Sequence, residues 1–127
     1  MLLCMACSND DGDYSVTISE YEIPEFCHPD IDKDKVVIIN NKAEFNRAFA
    51  NNKRLKHVDF KHSCLMLVSG VSTSGIDKID KELTHTGNEY ELKITITNNM
   101  LAVMEPWCVA YLVPKGFDKN KVKFTVK

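Results

Sequence analysis

A chain of 127 residues, 44% hydrophobic and 27% charged, has the make-up of one globular domain: too short for a second core and too apolar to stay disordered. Sixteen basic against eighteen acidic residues give a net charge of −2, which supplies no field to gather phosphate backbones and argues against nucleic acid as a partner. The longest apolar runs, Cys64–Val68 and Trp107–Val113, fall far short of the roughly 20 residues that a spanning helix needs.

Residues 1 to 6 are apolar apart from Cys4 and end in Ala6; Cys7 follows, and residues 8 to 13 (Ser-Asn-Asp-Asp-Gly-Asp) are all small or acidic. This break resembles the end of a lipoprotein signal peptide, with a small residue before the cysteine that is acylated on sulfur. Residues 1–6 read as a truncated signal peptide, shorter than the usual apolar core of about 7 to 15 residues and without a basic region before it. Cys-Ser-Asn-Asp-Asp resembles the start of mature Bacteroidetes outer-membrane lipoproteins. The resemblance implies lipidation at Cys7, an acidic tether over residues 7–13 and an outer-membrane, surface-exposed address for one domain over 14–127. A plainer reading is a frayed apolar terminus with an incidental cysteine.

Residues 14–23 mix β-branched and aromatic side chains and predict a first strand, which the two prolines and four acidic residues of Pro24–Asp34 break. Val36–Ile39 is a short buried-strand candidate. Asn41-Lys-Ala-Glu44 has the form of a capping box, so a helix is expected over about residues 42–52, with Phe45, Ala48 and Phe49 on one apolar stripe and Asn51 and Asn52 ending it. Cys64–Val68, an unbroken apolar run, predicts a strand covered on both faces, and Ser69–Gly75 a flexible reversal or bulge. Thr86-Gly-Asn88 joins the arms of a hairpin whose second arm alternates, with Tyr90, Leu92, Ile94 and Ile96 on one face. Asn98-Asn99 turns the chain into Met100–Met104, Glu105-Pro106 bends it into a second central strand from Trp107 to Val113, and Val122, Phe124 and Val126 alternate in a last strand. The lysines from Lys115 to Lys127 read as a solvated face. The expected fold is α+β: a mostly antiparallel β-sheet or partly open barrel with one helix packed on it.

Cys64 and Cys108 sit inside apolar runs and read as buried thiols; Cys27, in Phe-Cys-His-Pro, is expected at the surface. With residues 1–6 removed and Cys7 acylated, three cysteines remain and at most one bridge can form. Cys27 beside His28 invites a thiol-nucleophile reading, but adjacent residues of an extended chain point to opposite sides. His57 and His62 suit neither a helical nor a strand ligand spacing, and His85 lies at the hairpin tip. Asp30, Asp32 and Asp34 alternate like a calcium loop, but Lys35 stands where the turn needs glycine. No metal or other cofactor is expected.

The segment from Val58 to Lys115 resembles the PrcB-like domain, a module of a lipoprotein subunit in a protease complex. The resemblance rests on Asp59-Phe60, the loop Gly70-Val-Ser-Thr73-Ser-Gly75, the bend Glu105-Pro106-Trp107 and the close at Val113-Pro114-Lys115. It implies a non-catalytic module that contacts a secreted or envelope protease. The expected binding residues are Gly70, Ser72, Thr73, Gly75, Pro106 and Trp107, although glycines more often serve turns and a lone tryptophan more often fills a core. The expected function is a surface-anchored protein-binding or protease-accessory lipoprotein that is not an enzyme. The alternative is a thiol or glycan hydrolase of the envelope.

Overall fold

A computed structural model describes residues 18–24, 27–50 and 52–127; the segments expected to be a signal peptide and a tether, and with them Cys7, lie outside these residues. In chain order the elements are β1 (Ser19–Glu20), β2 (Val36–Ile39), α1 (Lys42–Phe49), β3 (Ser63–Ser72), β4 (Ile76–Thr86), β5 (Glu89–Asn98), β6 (Glu105–Pro114), a 3-10 turn (Lys119–Lys121) and β7 (Val122–Val126).

The fold is α+β, as expected, but the strands form two sheets rather than one. One has the order β1-β6-β3-β2 and the other β4-β5-β7. Every pairing is antiparallel except β5 with β7, which is parallel. Each sheet keeps two edges, so no barrel closes.

The two apolar runs of the sequence form the centre. β3 and β6 pair without interruption from Ser63↔Pro114 to Ser72↔Glu105. Because side chains alternate along a strand, each of the two strands serves two layers. Cys64, Met66 and Val68, with Trp107, Val109, Tyr111 and Val113, face the second sheet and meet Tyr90, Leu92 and Ile94 of β5. Leu65, Leu67 and Ala110 face the other way, into a cluster with Phe45, Ala48 and Phe49 of α1. The order of layers is therefore helix, four-stranded sheet, three-stranded sheet.

α1 begins as its capping box dictates: the Glu44 amide donates to Asn41 Oδ1 at 2.9 Å, and the Asn40 amide donates to Glu44 Oε1 at 2.8 Å. It ends three residues earlier than expected. Ala50 adopts a left-handed conformation (φ 50°, ψ 42°) and its N–H donates to the Asn46 carbonyl. The apolar stripe is complete at Phe49, and Asn51 to Arg54 offer no further apolar residue to bury.

Two other elements differ from expectation. Ser69–Ser72, read as part of a flexible reversal, extends β3, because β6 supplies a full-length partner; the turn itself is Thr73–Gly75. The first strand, expected over 14–23, comprises Ser19–Glu20 among the described residues, lengthened by the Tyr21 amide donating to the Ala110 carbonyl at 3.0 Å. The β4–β5 hairpin closes at Gly87-Asn88, with Gly87 at φ 61°, the positive φ that the first position of a type II′ turn requires.

The topology gives the molecule two distinct ends. At one, Thr73–Gly75 and the loop from Asn99 to Met104 cross side by side between the sheets. At the other, β1 enters beside Tyr111 and Leu112, and the chain crosses from β6 through the 3-10 turn to β7. Asn41→Ala is expected to lower stability by about 1 kcal/mol through loss of the helix cap, and Asn41→Asp to restore it, read as shifts in a urea unfolding midpoint.

Candidate functional site

The structure brings the residues singled out by sequence to one end of the molecule. Gly70 lies opposite Trp107, Val71 opposite Pro106 and Ser72 opposite Glu105. Most of them, however, have structural tasks. Trp107 is only 5% exposed and its indole lies over Gly70: a Cβ placed there would stand 2.7 Å from the ring carbon Cζ2. Glycine is required because the tryptophan occupies the place of its side chain. Trp107 is therefore a core residue and not a projecting anchor.

Ser72 and Gly75 belong to a hydrogen-bonded knot. Asn98 Nδ2 donates to Ser72 Oγ at 2.8 Å and to the Gly75 carbonyl at 3.2 Å. The Gly75 amide donates to the Leu101 carbonyl, the Asn99 amide to the Gly75 carbonyl and the Leu101 amide to Asn99 Oδ1. The Ile76 amide donates to Glu105 Oε1 at 3.0 Å. These bonds tie the two crossovers together and pair polar groups that would otherwise be stranded between sheets. Thr73 remains exposed and Pro106 half-buried. Pro106 lacks an N–H, and its position in β6 directs that missing donor away from β3, towards the side on which Ala110 meets Tyr21, so the central ladder loses nothing.

What sequence reasoning missed lies beside these residues. Met100 is 100% exposed, Leu101 61%, Val103 46% and Met104 69%. Five consecutive apolar residues, including Ala102, thus stand in water on a backbone pinned at both ends by the knot. Scattered apolar side chains on a surface are ordinary, but a contiguous run is a mark of a contact site. The signal was present: an apolar run of five between Asn98-Asn99 and Glu105-Pro106, turn residues on both sides, with no alternation to give it a buried face.

Against this loop lies a hollow of about 340 Å³. Met104, Pro106 and Val71 line it with Pro29, and Ser69 contributes to its wall a hydroxyl that is buried without a hydrogen-bond partner among the described residues. A larger groove of about 730 Å³ runs along the flank of β6, between Tyr21–Ile23 and Ile79. The groove is bordered by the Lys81–Glu20 ion pair (3.2 Å), whereas the hollow is continuous with the exposed apolar loop through Met104.

No protein-family model, curated protein or solved structure matches this chain. The geometry of its own residues is what carries a functional reading.

The cysteines depart from expectation. Cys27, expected at the surface, is 6% exposed, packed in the helix-side cluster with its Sγ accepting from Asn52 Nδ2 at 3.3 Å. Cys64 is buried on the opposite side of the sheet and donates to Asn40 Oδ1, while Cys108, expected to be buried, is partly exposed. His28 is exposed. His85 stacks on Tyr90 at 4.5 Å, and His62 Nδ1 meets Asp59 Oδ2 at 2.8 Å; that bond, and a second from the Lys61 amide, hold the Asp59 carboxyl below its ordinary range.

Burial, aided by the neighbouring Cys27, pushes the Tyr21 phenol from 10.0 up to about 12 and the Cys108 thiol from 9.0 to about 12; burial and Glu20 raise Tyr111 to about 12. The unfolded chain ionises these groups first, so their stabilising effect is complete below about pH 9 and is lost between about pH 9 and 12. Urea midpoints should fall through that window, and Tyr21→Phe should flatten the fall. Gly70→Ala is expected to cost about 1–3 kcal/mol by overpacking against Trp107, and combination with Trp107→Leu to cost less than the sum of the two single changes, measured by chemical denaturation.

Proposed function

We propose that the protein is a surface-anchored, non-catalytic lipoprotein whose domain docks a protein partner, in the manner of a protease-accessory subunit. The observation that carries this reading is the exposure of Met100–Met104 beside an apolar hollow. Methionine-rich surfaces are adaptable, because an unbranched, polarisable side chain fits many apolar shapes. The loop is flanked by Asn98, Asn99 and Glu105 and has no aromatic or basic residue within it, which favours a protein partner over a lipid surface.

The tether reading adds a direction. Residues 8–17 span at most about 35 Å when extended. They join the domain at β1, the end from which Met100–Met104 is separated by the length of β6, about 30 Å. An anchor at Cys7 therefore attaches to the domain at the end opposite the apolar loop. The thiol-hydrolase alternative draws no support from Cys27, whose sulfur is buried and engaged by Asn52.

The test is co-purification of envelope proteins with the full chain, produced from its natural reading frame. Leu101→Ser with Met104→Ser is expected to reduce recovery of bound partner at least tenfold while leaving the unfolding free energy from urea titration within about 0.5 kcal/mol of the parent, as surface changes do. Cys7→Ser should release the protein from membranes without abolishing binding. Unchanged recovery with the doubly substituted loop would overturn the docking site, and unchanged membrane association of Cys7→Ser would overturn the anchor.

A further inference from the structure

The edge of the central sheet is covered over only part of its length. β6 has ten residues, but its outer neighbour β1 has two, and they face only Leu112 and Tyr111. One more bond, from the Tyr21 amide to the Ala110 carbonyl, ends the contact. Pro24 then breaks the line, and the Cys27 amide donates to its carbonyl in a turn that carries the chain over to the helix-side cluster, where Cys27 packs. From Val109 back to Glu105, β6 has a strand partner on one side only among the described residues.

In an antiparallel ladder both main-chain groups of a residue point to the same side, and successive residues alternate. The Lys115 amide, one residue past the strand, donates to the His62 carbonyl, so the odd-numbered residues of β6 address β3. The Ala110 carbonyl, bound by Tyr21, shows the even-numbered ones addressing the outer edge. Cys108 therefore directs its amide and its carbonyl outward, and Pro106 its carbonyl. None of these three groups has a hydrogen-bond partner among the described residues. Cys108 is partly exposed and lines the groove of about 730 Å³, while Pro106 is half-buried and lines the hollow of about 340 Å³. The open edge thus joins the two concavities.

We propose that this edge receives an extended peptide segment of a partner protein, added to the central sheet as a strand beside β6. What selects a peptide is the spacing of the unmet groups: two acceptors and one donor at alternate residues of a strand, which another extended backbone meets at the same spacing. The side chains along the edge agree. Residues 106 to 109 (Pro-Trp-Cys-Val) carry no charge, whereas the long edge of the smaller sheet, β4, alternates charges that turn strands away. Ile79 and Val109 line the groove towards the second sheet, and Ile23 lines it beside Tyr21, so the segment that fits is apolar where it passes Cys108. Pro106 sets its far end, having no N–H to continue the exchange. The pairing uses main-chain groups of β6 and does not depend on Met100–Met104, so it stands or falls apart from the docking reading of that loop.

Amide hydrogen exchange followed by NMR on the full chain tests the open edge first. The Cys108 amide should exchange much faster than those of Trp107, Val109 and Tyr111, which pair with β3. The probe is then a synthetic peptide, the tightest binder selected on the full chain from a phage-displayed library of random short peptides. Its binding should slow exchange at Cys108 about tenfold or more, and N-methylation at either of two alternate residues of the peptide should weaken binding about tenfold, while N-methylation of the residue between them changes it less than about threefold. A Cys108 amide already protected in the free protein would show that the chain covers its own edge, and protection that grows with protein concentration alone would show a second copy there; either overturns the proposal. Failure to enrich any peptide also overturns it. So does a peptide that binds without slowing exchange at Cys108, an outcome that leaves docking at the exposed loop in place.

Discussion

The ladder between β3 and β6 is the constraint from which the rest of the molecule follows. Ten residues of each strand pair in a single register, and almost every side chain between Cys64 and Val68 and between Trp107 and Val113 is apolar. Such a pair cannot leave either face in water, so the chain must supply a cover on both sides. α1 and the segment around Tyr21 and Cys27 cover one face; the β4–β5 hairpin with β7 covers the other. A one-residue slip would exchange the two faces, turning Trp107 towards the helix and Ala110 towards the hairpin, with neither space fitted to its new occupant.

That double covering forces the chain to pass between the sheets more than once. Two of the passages, after β3 and after β5, come at the same end and are stitched to each other by asparagine side chains and backbone amides. The stitching explains how an apolar loop can stand in solvent without collapsing onto the domain: its ends are fixed by bonds to Gly75 and by Glu105 on Ile76, and the core beneath is already filled by Trp107. β4, the long free edge of the smaller sheet, is protected differently. Asp77, Lys78, Asp80, Lys81 and Glu82 place alternating charges along it, which discourages pairing with another strand.

The sequence was most legible where the signal was local and periodic. The capping box, the stripe of Phe45, Ala48 and Phe49, the alternation from Tyr90 to Ile96 and the double-faced runs are each short-range patterns, and each element formed where its pattern lies. The division into two sheets was not legible, because β7 chooses β5 and not β6 through a crossover whose landing place no local pattern encodes. Cys27 looked exposed in Phe-Cys-His-Pro, yet it is buried by Tyr21 and held by Asn52, 25 residues away. Gly70 read as part of a reversal and a binding loop, and it is a recess for an indole. Periodicity distinguishes faces from one another, but an apolar run with no period carries no sign of whether it is covered, so the run Met100–Met104 could be seen in the sequence while its exposure could not.

The pairing of Trp107 with Gly70 has one more consequence. The chain has a single tryptophan, and it is packed in the dry interior directly behind the apolar hollow. Its indole fluorescence is therefore a built-in optical gauge of that end of the molecule, sensitive to water entering between the sheets and to anything that displaces Pro106 or Met104. The domain carries its own spectroscopic label at the place where its function is proposed, with no dye or added residue to disturb the packing there.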